Sequence, residues 1–160
     1  MTNTVVKAEA LVSPAMIRVW KWLVFGLALT GFAQMPIFKR YYIADIPGMG
    51  WLADFYLTNI LHYILAAVFL YITFNLVTRY ITVLKTQFAV TSVGIAKFSL
   101  IGLIIVTGIF RVLKNEPNIF FSPTTTLLID WIHLFSVIIW GVLSLTTLLL
   151  KKRNFRVITS

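Results

Sequence analysis

Cysteine is missing from the sequence altogether. That removes disulfides, thiolate metal sites, cysteine-ligated iron–sulfur clusters and thioether-linked haem. Histidine occurs twice and acidic residues number five, which is little material for a protein-ligated zinc site or a catalytic triad. Charge of either sign is scarce: 12% of the 160 residues are charged, against about 25% in ordinary globular chains. A soluble domain of this size must cover a large surface with polar groups, and this chain lacks them. Hydrophobic residues instead make up 59%, where roughly 45–50% is usual. The composition points to lipid as the surrounding solvent.

Long charge-free runs divide the chain. Trp22 to Phe38 carries no charge for 17 residues, Phe55 to Thr78 for 24, and Trp131 to Leu150 for 20. Phe98 to Phe110 is a shorter run of 13 between Lys97 and Arg111, and Thr91 to Lys97 brings it to spanning length. A membrane-crossing helix needs about 20 mainly apolar residues. The expected spans are therefore about 17–38, 55–79, 91–113 and 127–150. Lys97 then lies just inside the third span, where it either snorkels to the headgroups or faces the bundle interior. No cleavable signal peptide is evident ahead of the first run. The expected fold class is all-α: a four-helix transmembrane bundle of up-down topology, one integral membrane domain over residues 1–160.

Loop charges set the orientation. With the N-terminus inside, the cytoplasmic side holds Lys7, Arg18, Lys21, Arg79, Lys85, Lys97, Lys151, Lys152, Arg153 and Arg156, with Glu9 as its one acid. The other side balances Lys39, Arg40, Arg111 and Lys114 against Asp45, Asp54, Glu116 and Asp130. All of the net charge of +9 therefore falls inside. Both termini are expected in the cytoplasm, in a cell inner (cytoplasmic) membrane. The basic balance needs no nucleic acid as partner. The two outer loops are too short for a catalytic domain, and Pro47-Gly48-Met49-Gly50-Trp51 in the first reads as a turn followed by an interfacial aromatic.

The two histidines lie in separate spans of the same direction. His62 precedes Arg79 by 17 residues and His133 precedes Lys151 by 18. At ~1.5 Å per residue both imidazoles lie about 26 Å from the inner charges, in the outer leaflet. Equal depth on two spans is what axial ligation of one haem b requires. The alternative is that each histidine hydrogen-bonds to a neighbouring helix. Small residues follow both: Ala66 and Ala67 after His62, Ser136 after His133. Thr30-Gly31 in the first span and Thr107-Gly108 in the third recur in similar settings, and Gly31 and Gly108 either admit a porphyrin face or serve close helix packing. Counted from Lys21 and Lys97, the two glycines lie nearer mid-membrane than the histidines. The two halves of the chain thus resemble each other. Asp130, three residues before His133, either orients its other ring nitrogen or is an interfacial acid, and one or two of Lys39, Arg40, Arg111 and Lys114 would pair with haem propionates.

Arg18-Val19-Trp20-Lys21-Trp22, Leu29-Thr30-Gly31, Leu61-His62, Val106-Thr107-Gly108 and His133 together resemble the b-type cytochrome membrane subunits of the formate dehydrogenase gamma-subunit family, over most of residues 16–150. The resemblance implies four spans and electron exchange between a soluble iron–sulfur partner and the quinone pool. The family carries two haems. Here Lys21 stands at the expected first ligand of the inner haem, and Thr147 or a neighbour at the second, so the resemblance implies a single-haem version with His62 and His133 as the outer pair. Two imidazoles fill both axial positions and suit electron transfer. The expected function is an electron relay between quinone and an outer-face iron–sulfur, molybdopterin or c-type cytochrome subunit. The competing reading is a cofactor-free four-helix membrane anchor of a larger complex.

Overall fold

The computed structural model describes residues 13–35 and 37–158; Lys7 and Glu9 of the charge reading lie outside the described residues. Four long helices dominate: α1 (Pro14–Ala33), α2 (Phe55–Arg79), α3 (Ser92–Leu113) and α4 (Pro123–Leu149). Each is long and apolar enough to cross a membrane. The chain divides into two compact units, Met1–Thr82 and Val83–Ser160. The first holds α1 and α2, the second α3 and α4.

All four helices start at a side-chain cap. Ser13 Oγ accepts from the Met16 amide at 3.2 Å, Asp54 Oδ1 from Leu57 at 3.0 Å, Thr91 Oγ1 from Gly94 at 3.1 Å and Ser122 Oγ from Thr125 at 3.1 Å. Each satisfies one of the amides a helix start leaves without an internal partner. Pro14 and Pro123 occupy first-turn positions, where the missing N–H is no loss. Three helix boundaries differ from their expected places. The first span begins at Pro14 rather than about 17 and ends at Ala33 rather than 38; the fourth begins a turn early, at Pro123. At the far end of α1, Met35 precedes a proline in the sequence, and such a residue is turned away from helical backbone.

In the first unit the two helices run antiparallel. Trp20 of α1 faces Phe69 of α2 with ring centroids 6.3 Å apart, and Thr30 meets His62. Between them the chain makes a helical turn at Ile37–Arg40 and 3-10 turns at Ile43–Asp45 and Gly50–Ala53, with Leu52 buried. The expected turn at Pro47-Gly48 is present: Met49 donates to the Ile46 carbonyl at 2.9 Å and Gly48 takes φ 86°, the left-handed position a type II turn reserves for glycine. α2 runs on into a π-helical turn, Tyr80–Leu84.

The second unit is also an antiparallel helical pair, with Thr107 meeting His133 and Arg111 meeting Asp130. It has one element outside the all-α expectation. Strands β1 (Phe88–Val90) and β2 (Phe155–Val157) pair antiparallel, Phe88 opposite Val157 and Val90 opposite Phe155. Thr91 ties this clasp to the start of α3, its amide donating to the Asn154 carbonyl at 3.0 Å and its hydroxyl to Arg153 at 2.8 Å. Phe155 stacks on Phe98 of α3 at 5.6 Å. The clasp comes so close that a Cβ on Gly94 would collide with the Asn154 carbonyl.

Burial differs from that of a water-soluble protein: beside Leu23, Ala33, Leu52, Phe88 and Ile129, the buried side chains are small and polar. Side chains such as Trp22, Phe25, Ile64, Phe74, Val142 and Leu145 are exposed, while Thr30, Thr58, Thr107, Ser136 and Thr147 are buried. Small polar residues between helices and apolar ones outside is the pattern expected where lipid tails surround the chain. The buried threonines satisfy themselves locally: Thr58 donates to the Asp54 carbonyl at 2.8 Å and Thr147 to Leu143 at 2.7 Å.

Candidate functional site

The same side-chain constellation occurs once in each unit. In the first, Thr30 on α1 holds His62 on α2, with Oγ1 2.9 Å from Nδ1. In the second, Thr107 on α3 holds His133 on α4, with Oγ1 3.0 Å from Nδ1. Both threonines are buried, and both imidazoles are half-buried. Each threonine also reaches back along its own helix, Thr30 Oγ1 lying 2.7 Å from the Gly26 carbonyl and Thr107 Oγ1 2.7 Å from that of Leu103.

The glycine after each threonine lies against the same ring. A Cβ on Gly31 would sit 3.3 Å from Cε1 of His62, and one on Gly108 would sit 3.5 Å from Cε1 of His133. Glycine here gives the imidazole edge direct access to the helix backbone. This corrects the depth expected for the glycines. Counting from Lys21 and Lys97 set them nearer mid-membrane, but α1 and α3 start well before those lysines. Gly31 is 17 residues past Pro14 and His62 is 17 before Arg79. Gly108 is 16 past Ser92 and His133 is 16 before Leu149. Counted from the helix ends, each glycine is level with its histidine.

The surrounding small residues differ. Ser136, one turn after His133, is buried; Ala66 is half-buried and Ala67 exposed. One turn before Thr30 on α1, a Cβ on Gly26 would lie 3.0 Å from Leu65 Cδ1, a close contact between the two helices.

Asp130 does not orient His133. Its carboxylate takes Arg111 Nε at 2.9 Å and Lys114 Nζ at 2.8 Å, and Thr107 occupies the place beside Nδ1. Two of the four cations expected near haem propionates are thus engaged by an acid of their own unit. At the positions compared with an inner haem pair, Lys21 is exposed and Thr147 is buried with its hydroxyl on its own helix. The threonines were missed as site residues in the sequence, where only the glycine of each Thr-Gly pair drew notice; the repeated dipeptide was the available signal.

Four apolar helices and two helical pairs that bury threonine and serine define a multi-pass membrane protein. The chain matches no protein-family model, no curated protein and no solved structure.

Proposed function

We propose that this chain is a membrane cytochrome b subunit of a respiratory redox complex, relaying electrons between the quinone pool and an outer-face partner through a single haem b. His62 and His133 would hold the iron. The observation that carries this reading is the duplication: both histidines of the chain have a Thr-Gly pair of the neighbouring helix against the same ring edge. Packing alone gives no reason for the two histidines to be treated alike. The donor set also fits the group. Imidazole is the axial ligand of b-type haem, and a ligating imidazole characteristically has its other nitrogen hydrogen-bonded.

Held by two imidazoles, a haem would supply one-electron transfer. The chain's residues do the rest. His62 and His133 would hold the group, Thr30 and Thr107 fix the rings, and Gly31 and Gly108 allow the rings to approach the helices. The charge asymmetry of the loops supports a cytoplasmic N-terminus and an outer-leaflet depth for both histidines. The partner on that face would be an iron–sulfur, molybdopterin or c-type cytochrome subunit, and the membrane the cell's inner one.

The test is a dithionite-reduced minus oxidised spectrum of the purified chain and of its intact complex, with pyridine haemochrome quantitation. One haem b per chain is expected, lost in His62→Ala and in His133→Ala. An intact complex without haem overturns the relay, and two haems per chain overturn the single site. One observation favours a second reading, a cofactor-free membrane anchor: the Thr–His bonds join the two helices of each unit without any ligand. Under it, both histidine variants leave electron transfer in the complex intact.

A further inference from the structure

A threonine hydroxyl has one proton and two acceptor lone pairs. Thr30 Oγ1 is 2.7 Å from the Gly26 carbonyl oxygen, and Thr107 Oγ1 is 2.7 Å from that of Leu103. Two oxygens at that separation need a proton between them, since facing lone pairs would repel. A carbonyl has no proton to give, so both hydroxyl protons are committed to the backbone. The contacts at 2.9 Å and 3.0 Å from Oγ1 to the histidine Nδ1 atoms then require the proton to be on Nδ1.

We infer that Thr30 and Thr107 lock His62 and His133 as Nδ1–H tautomers, which makes Nε2 the lone-pair nitrogen of each ring. The ring edge is pinned at two neighbouring atoms, Nδ1 by threonine and Cε1 by glycine. No other ring atom comes within 4 Å of the glycine's Cβ position. Two hydrogen bonds run in one direction, from Nδ1–H through Oγ1–H to the helix carbonyl, and each polarises the next. The result is a prepaid ligand: tautomer and ring plane are set before any metal arrives. Thr30 and Thr107 are positioning residues; the metal they prepare for is the haem iron only in so far as the proposed function holds, while the tautomer stands without it.

Two histidines in the whole chain make the test direct. Full-length chain with ¹⁵N-histidine, reconstituted without haem, gives the signals of two imidazoles. Both are expected with a protonated Nδ1 and a bare Nε2. Thr30→Val is expected to release His62 alone to a mixture of tautomers, Thr107→Val to release His133 alone, and Thr→Ser at either place to restore the original signal. A wild-type chain with Nε2–H and bare Nδ1 at either histidine overturns the inference, whatever the fate of the valine variants. So does a folded valine variant whose tautomer is unchanged. Haem content, read separately on the complex, reports on the proposed function and not on the tautomer.

Discussion

The two units share a site and almost nothing else. The first joins its helices by a long connection of short helical turns and packs Gly26 against Leu65 and Trp20 against Phe69. The second has a short connection, an Asp130 bridge to Arg111 and Lys114 at one end, and the β1–β2 clasp at the other. Yet Thr30-Gly31 meets His62 as Thr107-Gly108 meets His133, with Oγ1–Nδ1 distances differing by a tenth of an ångström. Packing solutions diverge freely where only stability is at stake. A constellation held constant while its frame varies is what the proposed ligand role calls for.

The sharpest way to break the comparison is at the clasp, which has no counterpart among the described residues of the first unit. In Gly94→Ala the new methyl meets the Asn154 carbonyl, and overpacking of this kind typically costs about 1–3 kcal/mol. Amide hydrogen exchange should rise at residues 88–90 and 155–157 and stay unchanged over α1 and α2; Gly102→Ala, where a Cβ meets nothing within 4 Å, is the control. Next comes the bridge. Asp130→Ala removes the shared partner of two cations, and for a partly exposed group the loss should be about 0.2–1 kcal/mol, shrinking as salt is raised. Denaturation in mixed micelles, followed by Trp131 fluorescence, would read it, and an effect indifferent to salt would count against an ionic origin. The smallest effect separates the glycines. Gly31→Ala brings a methyl within 3.3 Å of the His62 ring, a tight approach, whereas Gly108→Ala makes an ordinary 3.5 Å contact. Histidine ¹⁵N shifts should move more in Gly31→Ala than in Gly108→Ala; equal shifts would mean that both rings yield alike.

Much of the frame was legible in the sequence because apolar runs read directly as spans. α2 begins and ends at the expected residues, Phe55 and Arg79, since Asp54 and Arg79 mark its ends in charge as well as in structure. The starts of α1 and α4 were less visible, because Ser13-Pro14 and Ser122-Pro123 lie outside the apolar runs although they cap the helices. The clasp was illegible: strands of three residues, far apart in sequence, have no period to detect, and Phe88 looks like one more apolar residue. Of the site, the two histidines and two glycines stood out by rarity and by repetition. The bonds of Thr30 and Thr107 did not, since threonine in an apolar helix usually bonds only to its own backbone. Depth failed where a lysine was taken for a helix end.

The clasp also orders events in time. Thr30 and His62 both precede Val83 in the chain, so this pair can form while α3 is still being synthesised. β1 emerges next and finds no partner until α4 has been made and β2 follows it. Until then its edge is open, and an open strand edge is where chains pair wrongly. The Thr30–His62 pair can thus form before the Thr107–His133 pair, whose residues lie on α3 and α4, and the clasp closes after both.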